Sequence, residues 1–104
     1  VKYFLYILEC VNGSYYTGYT NDIERRYQEH CEGSSKCKYT RSYPPRRIAA
    51  CWEMDCSLSE ALKLECYVKG LSKQQKYALV AAPKNLFDRP GVVGLREFSA
   101  YEQG

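Results

Sequence analysis

No part of this 104-residue sequence approaches the ~18 consecutive apolar residues of a membrane-spanning helix. Nor does a basic segment followed by an apolar one lead into the first strand-like run, so no secretory signal is read and a cytoplasmic location is expected. The chain opens at Val1 rather than Met, which leaves a trimmed leader open. Six cysteines are present, at positions 10, 31, 37, 51, 56 and 66, yet none forms the Cys-x-x-Cys pair of a zinc knuckle. Five residues separate Cys31 from Cys37 and four separate Cys51 from Cys56. Neither spacing makes a disulfide framework, and without a secretory context the thiols are expected to be reduced and mostly buried, acting as small hydrophobes. Acidic residues are missing altogether from Gly33 through Trp52.

What fills that gap is basic and aromatic. Lys36, Lys38, Arg41, Arg46 and Arg47 lie in it, with Tyr39 and Tyr43 between them. Cations interleaved with aromatic rings suit a phosphate backbone whose bases are available for stacking. The bland counterpart is a solvated loop, and the patch gains meaning only beside a catalytic site. Elsewhere the composition is that of an ordinary globular domain, 45% hydrophobic and 26% charged, with a net charge of +3.

The pattern of elements predicts one α+β domain. Tyr3 to Glu9 and Tyr15 to Thr20 are apolar or aromatic runs around Asn12-Gly13-Ser14, which reads as a β-hairpin. Alternation puts Tyr6 on a face with Phe4 and Leu8, and Tyr16 on a face with Gly18, where a glycine would admit a substrate or another chain. Asn21 with Glu24 predicts a capped helix from Asp22 to about Glu32, with Ile23 and Tyr27 inward and Arg26 and His30 pointing to one place. Arg47 to Glu53 reads as a third strand after Pro44-Pro45. Ser57 with Glu60 opens a helix to Lys69 whose apolar arc takes Leu58, Ala61, Leu62, Leu64 and Val68, and Ser72 with Gln75 opens another to about Ala82. The order is ββαβαα, with a three-stranded antiparallel sheet flanked by helices. Residues 1–82 form the domain, and 83–104, broken by Pro90-Gly91 and Gly94, are read as an irregular tail.

Several polar residues do not fit a core. Glu65 falls inside the apolar arc of its helix, where a carboxylate is costly unless it is paired or holds a metal. A simple Glu65–Lys69 pair at i, i+4 is the plain alternative. Phosphodiester hydrolysis needs an activated water and stabilisation of the charge that builds on phosphorus. Glu65 suits Mg²⁺, which retains water and accepts phosphate oxygens, and Arg26 offers a guanidinium fork for the non-bridging oxygens. From spacing alone the general base is His30, whose ordinary pKa of ~6.5 fits the task.

These residues resemble the GIY-YIG nuclease superfamily, from about Tyr3 to Val80. Phe4-Leu5-Tyr6 matches the first motif and Tyr16-Thr17-Gly18 the second. The helix arginine falls on Arg26 rather than Arg25, the helix histidine on His30, and the metal-binding glutamate on Glu65. Lys38-Tyr39-Thr40-Arg41 and the run from Glu65 through Lys69 to Lys73 resemble a small stand-alone bacterial subgroup. No zinc RING, helicase or helix-hairpin-helix domain accompanies the motifs. Leu5 and Thr17 are mild departures, whereas Phe4 replaces the motif's glycine and leaves substrate choice open. The resemblance implies a metal-dependent endonuclease using Mg²⁺ or Mn²⁺ on nucleic acid, in DNA repair or recombination. It gives the water-activating role to Tyr6, which displaces His30 from that role. Tyr6, Tyr16, Arg26, His30 and Glu65 are the expected catalytic set, with Lys38, Arg41 and Lys69 contacting nucleic acid. The expected substrate is DNA, branched or single-stranded, with no membrane or small-molecule cofactor. A catalytically silent nucleic-acid-binding domain of the same fold is the alternative.

Overall fold

The hairpin forms where the turn chemistry places it. In a computed structural model, which describes residues 2–96, β1 (Lys2–Cys10) and β2 (Tyr15–Thr20) pair antiparallel in a register that sets Tyr6 opposite Gly18 and Leu8 opposite Tyr16. Gly13 takes φ +82° at the turn, a conformation that glycine adopts without penalty. The chain then enters α1 (Ile23–Glu32) through Asp22, whose side chain accepts from the Arg25 amide; Thr20 Oγ1 in turn accepts from the Asp22 amide at 3.1 Å. The cap is therefore Asp22 and not Asn21. Gly33, at φ +71°, ends the helix in the left-handed region.

The basic stretch is not a loop throughout. It folds into a short helix, α2 (Lys38–Ser42), before β3 (Pro45–Asp55), which is longer at both ends than its apolar core predicts. Strand β3 pairs antiparallel with the other edge of β1. Ile7 pairs with Ala50 but Leu8 with Ile48, a register shift that lets Ala50 and Ile48 serve opposite faces of the sheet. Helices α3 (Leu58–Lys69) and α4 (Lys73–Ala81) each begin with the complete capping box read from the sequence, Ser57 with Glu60 and Ser72 with Gln75.

Two apolar layers result. Leu5, Ile7, Ala50, Trp52 and Met54 meet Ala61, Leu64 and Val68 of α3 and Leu79 of α4. Tyr6, Leu8, Ile48 and Cys51 meet Ile23 of α1 on the opposite face. The indole of Trp52 donates to the Pro83 carbonyl at 2.8 Å, tying a 3-10 turn (Pro83–Leu86) to the sheet. The expected apolar arc of α3 is too wide: Leu58 and Leu62 face outward, 48% and 38% exposed. Cys10, Cys37 and Cys51 are buried free thiols, Cys56 is half-buried, and Cys31 and Cys66 are exposed.

Among the described residues the sheet has four strands, not three. β4 (Val92–Leu95) lies in the segment read as an irregular tail and gives the order β2-β1-β3-β4. The breaks at Pro90-Gly91 deliver the strand instead of preventing one. Gly91, at φ +88°, turns the chain back, its carbonyl accepts from the Asp55 amide at 2.8 Å, and Trp52, Glu53 and Met54 pair with Leu95, Gly94 and Val92. Covering the open edge of β3 satisfies backbone groups, a role that asks for few apolar side chains. The element order is ββααβααβ, and the last part of the expected tail, 97–104, lies outside the described residues.

Candidate active site

The two hairpin strands and the helices that flank them build one groove. Tyr6 and Tyr16 come from the sheet face covered by α1, Arg26 from α1, and Glu65 from α3 beyond the β2 edge; Tyr3, Gly18, Tyr19, Thr20 and Asn21 complete a lining around 360 Å³ of open space. Helical spacing explains why Arg26 lines it and Arg25 does not: Arg26 is half-buried, Arg25 exposed. Arg26 is steadied by Glu29 at 3.2 Å.

Tyr6 sits at the floor. Its ring occupies the space left by the missing side chain of Gly18; a Cβ there would lie 2.5 Å from the hydroxyl. The expectation that Gly18 admits a substrate is thus corrected: the space belongs to the protein's own tyrosine. The Tyr6 hydroxyl lies 2.9 Å from His30 Nε2, and the other imidazole nitrogen, Nδ1, lies 2.7 Å from Thr40 Oγ1 on α2. His30 and Thr40 are both fully buried.

Burial sets the electrostatics of this chain of groups. It lowers the pKa of His30 to about 4, helped by the Arg26 charge and opposed by Glu29, so the imidazole is neutral at pH 7. Burial also raises the Tyr6 phenol above its ordinary value; Arg26 pulls it down, and Tyr16 adds to the rise.

Tyr16 links the floor to the surface. Its ring meets His30 edge-on, with centroids 5.2 Å apart, and stacks on Tyr39 at 5.7 Å with planes 17° apart. Tyr43 lies 5.4 Å beyond Tyr39. The Tyr39 hydroxyl is held by the Ser14 hydroxyl and by Asn12.

Among the described residues Glu65 is the one carboxylate of the groove lining, and its side chain is largely covered, with Lys69 at 3.6 Å. The simple i, i+4 pair is therefore present. Among the described residues no three His, Cys, Asp or Glu side chains cluster as metal ligands. A single carboxylate among hydroxyl and amide oxygens fits a magnesium-type ion, whose remaining ligands are water and phosphate, and does not fit structural zinc. Lys38 and Arg41 are exposed on α2, outside the groove lining. Arg46 and Arg47 are engaged by Glu9, at 3.4 and 2.8 Å, so the basic stretch presents fewer open charges than its composition suggests.

Residues 2–78 match the profile of the GIY-YIG catalytic domain. The chain belongs to this family. Among similar proteins, the UPF0213 protein BH0048 of Halalkalibacterium halodurans is 44% identical over 81 residues, spanning 78% of this chain and 84% of that one. The UPF0213 protein H16_B0156 of Cupriavidus necator is 47% identical over 79 residues, 76% and 84% of the two chains. A solution NMR structure of UPF0213 protein BH0048 from Bacillus halodurans aligns with a TM-score of 0.51 at 40% identity, covering 86% of this chain and 93% of that one. Membership in the GIY-YIG family points to nuclease chemistry on nucleic acid, while the relatives' names assign no activity.

In this GIY-YIG domain the sequence motifs are structural neighbours: Tyr6 of the first is the direct cross-strand partner of Gly18 of the second. Tyr6, Tyr16, Arg26 and Glu65 line one groove, and His30 lies behind Tyr6. Thr40 is absent from the set expected from the sequence, because it sits inside a run taken as surface-binding. Its place in the Lys38-Tyr39-Thr40-Arg41 motif and its helical spacing from the buried Cys37, at i, i+3, are the signals that mark it.

Proposed function

We propose that this protein is a metal-dependent endonuclease that hydrolyses phosphodiester bonds in DNA, branched or single-stranded, in the cytoplasm. The observation that carries the reading is the convergence of Tyr6, Tyr16, Arg26 and Glu65 on one groove. In this reading the Tyr6 oxygen takes a proton from the attacking water as its own proton moves to His30. His30 Nε2, 2.9 Å away, is the nitrogen within reach of that proton, and burial makes it a weak base that the charge of a bound phosphate must assist. Arg26 binds the non-bridging oxygens as charge develops on them. Tyr16 orients the phosphate from the opposite strand. Glu65 holds Mg²⁺ or Mn²⁺, which when bound supplies Lewis-acid stabilisation of the phosphate and leaving oxygen. Lys38, Arg41 and Lys69 contact the phosphate backbone on either side.

The Glu65–Lys69 pair, at 3.6 Å, supports a second reading, a nucleic-acid-binding domain of the same fold without catalysis. One assay separates the two. Labelled duplex, single-stranded and branched DNAs and RNAs are incubated with the protein in magnesium, manganese or EDTA. The nuclease reading expects cleavage that EDTA stops and that Tyr6→Phe lowers by ~10²-fold or more. Binding without cleavage under every metal condition selects the second reading.

A further inference from the structure

Behind the groove, one polar contact has no place in the catalytic set. Thr40 is fully buried on α2, and its hydroxyl lies 2.7 Å from His30 Nδ1 and 3.4 Å from the Cys37 carbonyl. A neutral imidazole has one N–H and one bare nitrogen, and the partner of one nitrogen decides which end can accept. Two proton arrangements fit the line Tyr6–His30–Thr40, and they differ in what they leave unsatisfied.

In the first, Thr40 donates to the Cys37 carbonyl, a back-bond within a helix. It accepts from His30 Nδ1–H, and bare Nε2 accepts from the Tyr6 hydroxyl. Every hydrogen in the line then has an acceptor within reach. In the second, Thr40 donates to Nδ1, and Nε2–H donates to the Tyr6 oxygen. The Tyr6 hydrogen then has no acceptor on the protein, since the Arg26 guanidinium beside it only donates, and must be taken by water in the groove. Of the two side chains that hydrogen-bond the Tyr6 hydroxyl, His30 and Arg26, only His30 can accept its hydrogen. The first arrangement is the one that the protein satisfies by itself.

We propose that Thr40 is a positioning residue that holds His30 in the Nδ1–H tautomer, so that Nε2 stays free to receive the Tyr6 proton. Its catalytic consequence rests on the nuclease reading, but the tautomer itself does not. The surroundings make the device economical. The edge-on rings of Tyr6 and Tyr16, 5.7 and 5.2 Å from the imidazole, limit its rotation. Thr40 also belongs to the five-residue helix that bears Lys38, Tyr39 and Arg41, so the surface offered to a strand and the support of His30 are one element.

His30 is the chain's single histidine, so a long-range ¹H–¹⁵N NMR spectrum of the imidazole contains one spin system to read. In the parent protein at pH 7, Nε2 should show the shift of a bare nitrogen and Nδ1 that of a protonated one. Thr40→Ser should keep this pattern, whereas Thr40→Val, which offers no acceptor, should move it toward Nε2–H or an even mixture. In the cleavage assay Thr40→Val should lower kcat about tenfold or more with KM little changed, and Thr40→Ser should restore most of it. A parent spectrum with protonated Nε2 overturns the proposal without any variant, as does an unchanged tautomer in folded Thr40→Val. If no substrate is cleaved while the spectra behave as described, the nuclease reading fails and the tautomer assignment stands.

Discussion

Gly18 and Tyr6 face each other across the hairpin so closely that a methyl group on one would fall 2.5 Å from the hydroxyl of the other. The second motif's glycine is thus part of the tyrosine's binding site within the protein. Gly18→Ala should push the phenol off His30 and cost about 1–3 kcal/mol as an overpacked site. Cleavage should fall at least as far as in Tyr6→Phe, although every titratable group is retained. Chemical denaturation and a cleavage assay measured together check this, and full activity in a folded Gly18→Ala protein would contradict it.

Glu65 is expected to matter for chemistry far more than for folding. Its ion pair with Lys69 bridges a largely covered carboxylate and an exposed amine at i, i+4, worth about 0.3–0.5 kcal/mol. Glu65→Gln should therefore shift the urea midpoint little, abolish metal-dependent cleavage and leave nucleic-acid binding in EDTA intact. Lys69→Ala should preserve cleavage chemistry while weakening binding slightly. Activity in Glu65→Gln equal to that of the parent would remove the carboxylate from the site.

Thr17 offers a stability test independent of function. Its hydroxyl is buried and has no hydrogen-bond partner among the described residues, an arrangement that costs about 1–3 kcal/mol. Thr17→Val keeps the branched shape suited to a strand and deletes the orphaned group, so the thermal midpoint should rise. A fall would show that the hydroxyl is satisfied in solution, for instance by water.

Much of this arrangement was legible in the sequence because it is local. The hairpin turn, both capping boxes and the placing of Arg26 and His30 toward the same side of one helix depend on residues a few positions apart. Apart from the cap at Asp22 and the short helix α2, both local, what escaped depends on distant partners. Nothing in Val92-Val93-Gly94-Leu95 announces that the edge of β3 lies open to receive it. The helical period of α3 defines an apolar arc but not which part of it meets the sheet, and so Leu58 and Leu62 were placed inside. Gly18 was read as making room for a visitor, since the ring that fills the space lies twelve residues earlier and on another strand. Thr40 sits between exposed cations, where a hydroxyl gives no sign of which way it points.

The cations of α2 should contribute to binding through counterion release. Among the described residues, Lys38 and Arg41 have no carboxylate partner, unlike Arg46 and Arg47. Replacing both with Ala should reduce the slope of log K against log salt by roughly 0.7–0.9 for each phosphate that is no longer neutralised, whatever the sequence bound. Replacing Arg46, already held by Glu9, should change the slope less. Equal effects from the two positions would mean that the ion pairs on β3 open on binding.

Acid should destabilise the protein through His30. Its folded-state pKa of about 4 lies below the ordinary value of 6.5, so in the interval between them the unfolded chain holds a proton that the folded chain refuses. Stability from this group is complete above about pH 6.5, declines as pH falls, and levels off below about pH 4. The total loss is on the order of 3 kcal/mol, taking 1.36 kcal/mol per pKa unit. Urea unfolding at half-unit steps from pH 7 to 4 should show a slope approaching one proton in this range, ahead of most carboxylate titration. His30→Asn, which is neutral throughout, should lie lower at pH 7 because the Tyr6 and Thr40 contacts are altered, yet lose that one-proton slope. An identical slope in parent and variant would assign the acid sensitivity to the carboxylates and return His30 to an ordinary pKa. In that case the imidazole would be mostly charged at pH 6, and a neutral acceptor for the Tyr6 proton would predominate only above about pH 6.5.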